Sequence, residues 1–153
     1  RLEVETTVSE ALSKMTGELA GKYYQLSSLS DSERKQLIED HFLFKEGDRF
    51  LDACGLNRDW PEGRGIFHNN DKTFLVWVNE EDQLRIISMQ QGADIGAVFK
   101  RLSLAAACIE KVAAFAKDDA LGYITSCPTN LGTALRASVH VQLPNLGKDK
   151  AAF

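Results

Sequence analysis

A guanidinium, a hydroxyl and an imidazole fall in one row near the end of this chain. From Leu135 to Leu143 the residues alternate, with Ala137, Val139, Val141 and Leu143 on one side and Arg136, Ser138, His140 and Gln142 on the other. That is the pattern of a strand, whose successive side chains point to opposite faces. Such a polar face can simply be solvated. Its content also suits a ligand: at ~3.3 Å per residue, Arg136 and His140 stand ~13 Å apart. That span fits an elongated molecule with an anionic end and a planar ring end, and a nucleotide is one candidate.

Three further features could carry chemistry. Arg85 sits between Leu84 and Ile86-Ile87 in an otherwise apolar stretch. Its planar fork matches a phosphate by two parallel hydrogen bonds, although taken alone the residue is better explained by a structural carboxylate partner. Asn79-Glu80-Glu81-Asp82 places three adjacent carboxylates between apolar segments. A solvated hairpin turn is the plain reading. The functional one is a carboxylate held at a sheet end to grip a cation and take a proton, with a guanidinium as the best-matched cation. Cys127 follows an apolar segment and precedes a proline. Most lone cysteines are inert, and a reactive one needs hydrogen-bond donors nearby, which Thr129 and the loop amides could supply.

The elements that must position these residues read as follows. Val4, Val8, Leu12, Met15 and Leu19 form a helical stripe, with Gly17 near its end. Ser30-Asp31-Ser32-Glu33 fits a capping box opening a helix to about Asp40. Gly63 to His68, Phe74 to Val78 and Leu84 to Met89 read as three strands with short connections, hence an antiparallel meander. Phe74 to Val78 is continuously apolar, which predicts a strand covered on both faces. Asp94 caps a long helix through Ile95, Val98, Phe99, Leu102, Ala105, Ala106, Ile109, Val112 and Ala113. Two more strands, Leu121 to Ser126 and Leu135 to Leu143, complete an α+β pattern of an antiparallel sheet flanked by helices.

With 153 residues, the chain suits one domain and can bury ~69% of its extended surface. Its net charge of -4 argues against non-specific nucleic-acid binding, which rests on neutralising phosphates. No apolar run reaches the ~20 residues of a membrane span, and no signal-peptide pattern opens the chain. Three cysteines without a C-x-x-C, and histidines that stand alone, point away from structural zinc and a disulfide framework, towards a reducing, intracellular setting. Neither G-x-x-x-x-G-K-[ST] nor G-x-G-x-x-G occurs, so a nucleotide here would be held by arginines on a sheet.

Several stretches taken together resemble the phosphagen kinases, the ATP:guanidino phosphotransferases. They are Asp40-His41-Phe42-Leu43-Phe44, Gly65-Ile66-Phe67-His68-Asn69, Val76 to Asp82, Leu84-Arg85-Ile86-Ile87-Ser88-Met89, Cys127-Pro128-Thr129-Asn130-Leu131-Gly132-Thr133 and Leu135-Arg136-Ala137-Ser138-Val139-His140. The resemblance runs over nearly the whole chain. It implies the glutamine synthetase/guanidino kinase-like catalytic fold and reversible phosphoryl transfer from MgATP to a guanidino nitrogen of arginine or a related compound. Glu81 then looks like the carboxylate that grips the substrate guanidinium. Cys127 looks like the essential thiolate beside it, with Thr129 next to it at the substrate. Arg85 and Arg136 look like the arginines on the ATP phosphates. His41 and His140 look like nucleotide contacts, as do Ala137, Ser138 and Val139 by their place in the same motif. Magnesium arrives mainly with the nucleotide, and no protein metal site is implied.

By the same resemblance, residues 1–153 are expected to be part of a C-terminal catalytic domain, without the N-terminal helical domain and the C-terminal end. Such a piece is expected to be inactive alone. The alternatives are a truncated nucleotide-binding piece and a purely structural one. Gln83 stands where the family usually has histidine, and Thr129 leans towards arginine-type relatives over creatine-type ones, which usually have serine. The implied partners are a small guanidino compound and a nucleotide, not nucleic acid or membrane. A homodimer is compatible with the family, and the implied compartment is the cytoplasm, with the mitochondrion as the other option.

Overall fold

The computed structural model describes residues 1–46, 49–145 and 148. Helix α1 (Leu2–Ser13) is followed by strand β1 (Gly21–Gln25), α2 (Asp31–Glu39), α3 (Arg49–Ala53), β2 (Gly65–Asn69), β3 (Phe74–Val78), β4 (Leu84–Ser88) and α4 (Ile95–Glu110). Two short strands, β5 (Lys117–Asp118) and β6 (Gly122–Tyr123), come last. The four longer strands form one antiparallel sheet in the order β1-β2-β3-β4, so the expected meander is present with one strand added at its edge. No helix among the described residues is long and apolar enough to cross a membrane.

The register sorts the sheet into two faces. Tyr23, Phe67, Val76 and Ile86 lie opposite one another across the strands, and Phe74 and Val78 share their face. This side packs on Val8, Ala11 and Leu12 of α1 and Ala105 and Ile109 of α4. Burying an aromatic or aliphatic side chain such as Phe67 contributes about 1.5–3 kcal/mol. The other row runs Tyr24, Ile66, Trp77, Arg85. Leu26, Leu43, Phe44 and Trp60 cover its Ile66–Trp77 part, with Leu37 and Ile38 of α2. Layers on both sides are why β3 can be apolar without alternation.

Most local expectations hold for local reasons. Ser30 Oγ accepts from the Glu33 amide at 3.3 Å while the Glu33 carboxylate accepts from the Ser30 amide at 2.9 Å, completing the capping box of α2. Ser30→Ala is expected to cost about 1 kcal/mol, read as a lowered urea midpoint with an unchanged slope. Asp94 caps α4 through the Ala97 amide at 2.9 Å. The first helix stops at Ser13, but Met15 and Leu19 still reach the core because a 3-10 turn at Gly17–Leu19 carries the stripe on.

Four expectations need correction. Strand β1 was not foreseen, because Gly21-Lys22-Tyr23-Tyr24-Gln25 shows no apolar alternation; it forms because β2 offers a ladder and because Tyr23 and Gln25 both donate to the buried Glu5 carboxylate of α1. The expected strand Leu121 to Ser126 shrinks to Gly122–Tyr123. Residues Leu135 to Leu143 form no strand at all: no described segment pairs with them, and Val139, Val141 and Leu143 are exposed. Alternation belongs to one segment, whereas a strand needs a neighbour to supply its hydrogen bonds. Finally, α4 turns Ile95 and Phe99 outward and buries Arg101, whose guanidinium is held by Glu18, Ser88 Oγ, the Met89 carbonyl and Gln90.

Candidate functional site

The acidic turn between β3 and β4 begins at Asn79, the buried residue after Val78. Its φ of 57° is left-handed, a conformation asparagine tolerates better than most side chains. Its Nδ2 donates to the Gly63 carbonyl at 2.7 Å and the Arg1 carbonyl at 3.0 Å, and its amide donates to the Gln83 carbonyl at 2.9 Å. These bonds pin the start of the turn and close it at Gln83, so Glu80, Glu81 and Asp82 are projected from a fixed loop.

The three carboxylates have different fates. Glu80 faces Arg85 at 3.6 Å. Asp82 accepts from the Cys127 amide at 3.0 Å and from Asn130 Nδ2 at 2.7 Å. Glu81, half-buried between them, makes no hydrogen bond or ion pair among the described residues. Sequence spacing alone treats the three as equivalent; the structure leaves the middle one available to an incoming cation.

Cys127 opens a 3-10 turn at Pro128–Asn130. Its Sγ lies 3.0 Å from Thr129 Oγ1, and its carbonyl accepts from Thr125 Oγ1 at 2.7 Å and from the Asn130 amide at 3.0 Å. Since Asp82 holds the Cys127 amide, Glu81 is one residue from a side chain bonded directly to the thiol-bearing residue.

Arg85 stands opposite Trp77 in the ladder, and its guanidinium lies over the indole ring at 5.4 Å from the ring centre. Half of its side chain is exposed and its contact with Glu80 is long, so a phosphate could displace that carboxylate at small cost. Trp77 Nε1 donates to the Phe42 carbonyl at 2.8 Å, which ties the residue after His41 to the same row. His41 itself is exposed, with a left-handed φ of 61°, and its amide closes the end of α2 on the Ile38 carbonyl.

The structure thus brings Glu81, Cys127, Thr129 and Arg85 to one end of the sheet and links His41 to that row through Trp77. Arg136, Ala137, Ser138, Val139 and His140 lie on the exposed segment that forms no strand, so no ladder sets Arg136 and His140 on a common face. Two concavities of the chain lie elsewhere, one lined by Glu5, Ser9, Lys22 and Tyr23, the other by Arg1, Glu3, Arg58 and Asp59. Neither includes the acid and thiol, which sit on an open turn. Asn79, Trp77 and Asn130 carry positions that sequence reasoning did not assign. Only Asn79, at the end of an apolar run, had a signal, that of turn chemistry.

The sequence model of the family described as "ATP:guanido phosphotransferase, C-terminal catalytic domain" matches residues 3–153. The arginine kinase of Anthopleura japonica is 61% identical over 145 residues, which is 95% of this chain and 20% of that protein. Arginine kinase 1 of Drosophila melanogaster is 59% identical over 149 residues, 97% of this chain and 42% of that protein. Among solved structures, the duplicated taurocyamine kinase of Schistosoma mansoni with bound transition state analog components superposes with a TM-score of 0.90 at 54% identity, covering 99% of this chain and 21% of its own. A lombricine kinase gives 0.91 at 45% identity, covering 99% and 43%. The chain therefore spans between a fifth and somewhat over two fifths of these relatives.

Proposed function

This chain belongs to the ATP:guanido phosphotransferase family, as its C-terminal catalytic domain, and from that premise we propose that its acidic turn and thiol loop serve reversible phosphoryl transfer between MgATP and the guanidino nitrogen of arginine or a related compound. The observation that carries the reading is the unpaired Glu81 carboxylate between two carboxylates already engaged. A guanidinium meets a free carboxylate fork to fork, and Cys127, on the loop that Asp82 holds by its amide, is the second group offered to it.

In this reading the guanidino nitrogen attacks the γ-phosphorus, the N–P bond forms as the bond to the β-phosphate oxygen breaks, and the nitrogen's proton passes to Glu81 while ADP leaves. Arg85 and Arg136 neutralise the phosphates, and His41 and the run Ala137, Ser138, Val139 and His140 contact the nucleotide. Magnesium enters with the nucleotide substrate, as in the family the chain belongs to. Alignment of two bound reactants can remove ~7–11 kcal/mol of barrier, whereas a general base contributes ~10²–10⁴-fold, so positioning is the larger effect. The compartment proposed with this function is the cytoplasm, with the mitochondrion as the other option.

A second reading, nucleotide binding without transfer, is favoured by the unpartnered segment that carries Arg136 and His140. Titration calorimetry with MgADP and a coupled ADP-release assay with arginine, creatine and taurocyamine separate the two. The expected result is MgADP binding that Arg85→Ala and Arg136→Ala each weaken by about 10–100-fold, since each removes a hydrogen bond to a charged group. ADP release with one guanidino compound selects the kinase reading, and binding without release selects the second. MgADP heats that ignore both substitutions refute both.

A further inference from the structure

Forty-five residues separate Asp82 from Cys127, yet the two are in direct contact. The Asp82 carboxylate uses both oxygens on the thiol loop, Oδ1 on the Cys127 amide and Oδ2 on Asn130 Nδ2. Gln83 adds the Ser126 hydroxyl at 3.2 Å. On its other side the same turn is anchored by Asn79 to the Gly63 and Arg1 carbonyls. The thiol loop is closed at its base by the Tyr123–Gly132 bridge, where the Tyr123 amide donates to the Gly132 carbonyl at 2.7 Å and the Gly132 amide to the Tyr123 carbonyl at 3.2 Å, while Cys127, Thr129 and Asn130 lie outside the main sheet. Among the described residues, the hydrogen bonds from Asp82 and Gln83 are what join this loop to the acidic turn.

We propose that Asp82 is a positioning residue that, with Asn130 and Gln83, clasps the Cys127 loop to the acidic turn and so sets the thiol at a fixed place beside Glu81. The inference rests on the kinase reading only for what the two groups then grip; the clasp itself is a statement about hydrogen bonds. It also assigns the third carboxylate of the turn a role other than proton transfer or metal binding. Both of its oxygens accept from loop donors, whereas its neighbour Glu81 has no partner among the described residues. Aspartate suits this place because one short side chain offers two acceptors to donors three residues apart in the loop. Asparagine at position 82 still accepts from the Cys127 amide through its Oδ1. Its Nδ2 can then meet Asn130 once that amide rotates to present its oxygen.

The test is amide exchange at Cys127, followed by NMR in the unsubstituted chain and in Asp82→Ala, Asp82→Asn, Asn130→Ala and the Asp82→Ala/Asn130→Ala pair, with the Val76 and Val78 amides of β3 as the control for a folded sheet. Asp82→Ala is expected to speed exchange at Cys127 by about 10–100-fold while β3 stays protected, because the amide loses its charged acceptor. Asp82→Asn is expected to restore most of the protection, and the double variant to exchange no faster than Asp82→Ala, since both residues act through one contact. Unchanged exchange in Asp82→Ala, an asparagine variant as fast as the alanine one, or additive effects would each overturn the clasp. If β3 loses protection in Asp82→Ala, the asparagine and Asn130→Ala variants decide by the same criteria.

A second measurement joins the clasp to ligand placement. Alkylation of Cys127 by iodoacetamide, read by mass spectrometry of its peptide because Cys54 is also exposed, is expected to be slowed by added arginine. Asp82→Ala should lose that protection and Asp82→Asn should keep it. If arginine protects the alanine variant fully, the positioning role fails although the hydrogen bonds stand. If arginine, creatine and taurocyamine all leave the unsubstituted chain unprotected, the kinase reading fails and the exchange result alone judges the clasp.

Discussion

Glu81→Asp is expected to lower phosphoryl transfer by about 10²-fold, because a displacement near 1 Å in a site that works by alignment costs that much. The variant keeps a carboxylate but withdraws it by one methylene from a turn whose backbone Asn79 and Asp82 hold still. Glu81→Gln keeps the length and loses the charge, and its expected loss is ~10²–10⁴-fold, the range of a general base together with its grip on a cation. The comparison is made in the ADP-release assay with whichever guanidino compound supports turnover. Equal, large losses in both variants mean that place and charge are each required. A Glu81→Asp variant with full kcat refutes the role given to Glu81, since Glu80 and Asp82 are occupied and cannot take it over.

Arg64→Met is expected to cost about 3–5 kcal/mol of stability, seen as a lowered urea midpoint. Arg64 is 1% exposed, and among the described residues no carboxylate forms an ion pair with its guanidinium. It donates instead to the carbonyls of Glu62 at 3.0 Å, Arg58 at 3.0 Å and Leu56, and lies over the Trp60 ring at 5.1 Å. Burial, and after it the neighbouring Arg1, hold its pKa below the usual value. Methionine fills the volume but takes the donor from the Glu62 and Leu56 carbonyls, while the Arg58 carbonyl keeps Arg1 Nη2 at 2.6 Å. Arg64→Lys is expected to recover little, since one ammonium cannot reproduce a planar fork. The effect reaches the site, because the next carbonyl back, that of Gly63, is the one Asn79 uses to start the acidic turn. A methionine variant with the midpoint of the unsubstituted chain would show that these carbonyls are solvated without Arg64.

Sequence patterns read well wherever the cause is local. Ser30 and Glu33 are one helical turn apart, and so are Asp94 and Ala97; each cap is decided by residues that find one another in any chain carrying them. The apolar run Phe74 to Val78 announces a central strand because only cover on both faces tolerates it. The same reasoning misjudged Leu135 to Leu143, where alternation was present but no partner strand was. It missed β1, whose tyrosines are placed by Glu5 of α1 and by the register with β2. Nor did the apolar repeat of α4 say which part of it would be covered: Ile95 and Phe99 are exposed, while Ala105, Ile109 and the satisfied Arg101 turn inward.

The site divides along the same line. Residue types and their order along the chain were enough to mark the acid run, the arginine at position 85 and the cysteine before a proline as an anion-binding and cation-binding set. They could not say which of three adjacent carboxylates stays free, because that depends on donors 45 and 48 residues away that are brought up by the fold. Nor could they show that Trp77 carries Arg85 on its ring and fastens the His41 loop by its indole nitrogen. A side chain's chemistry is written in its own identity. Its availability is set by hydrogen-bond competition among neighbours that only tertiary packing assembles.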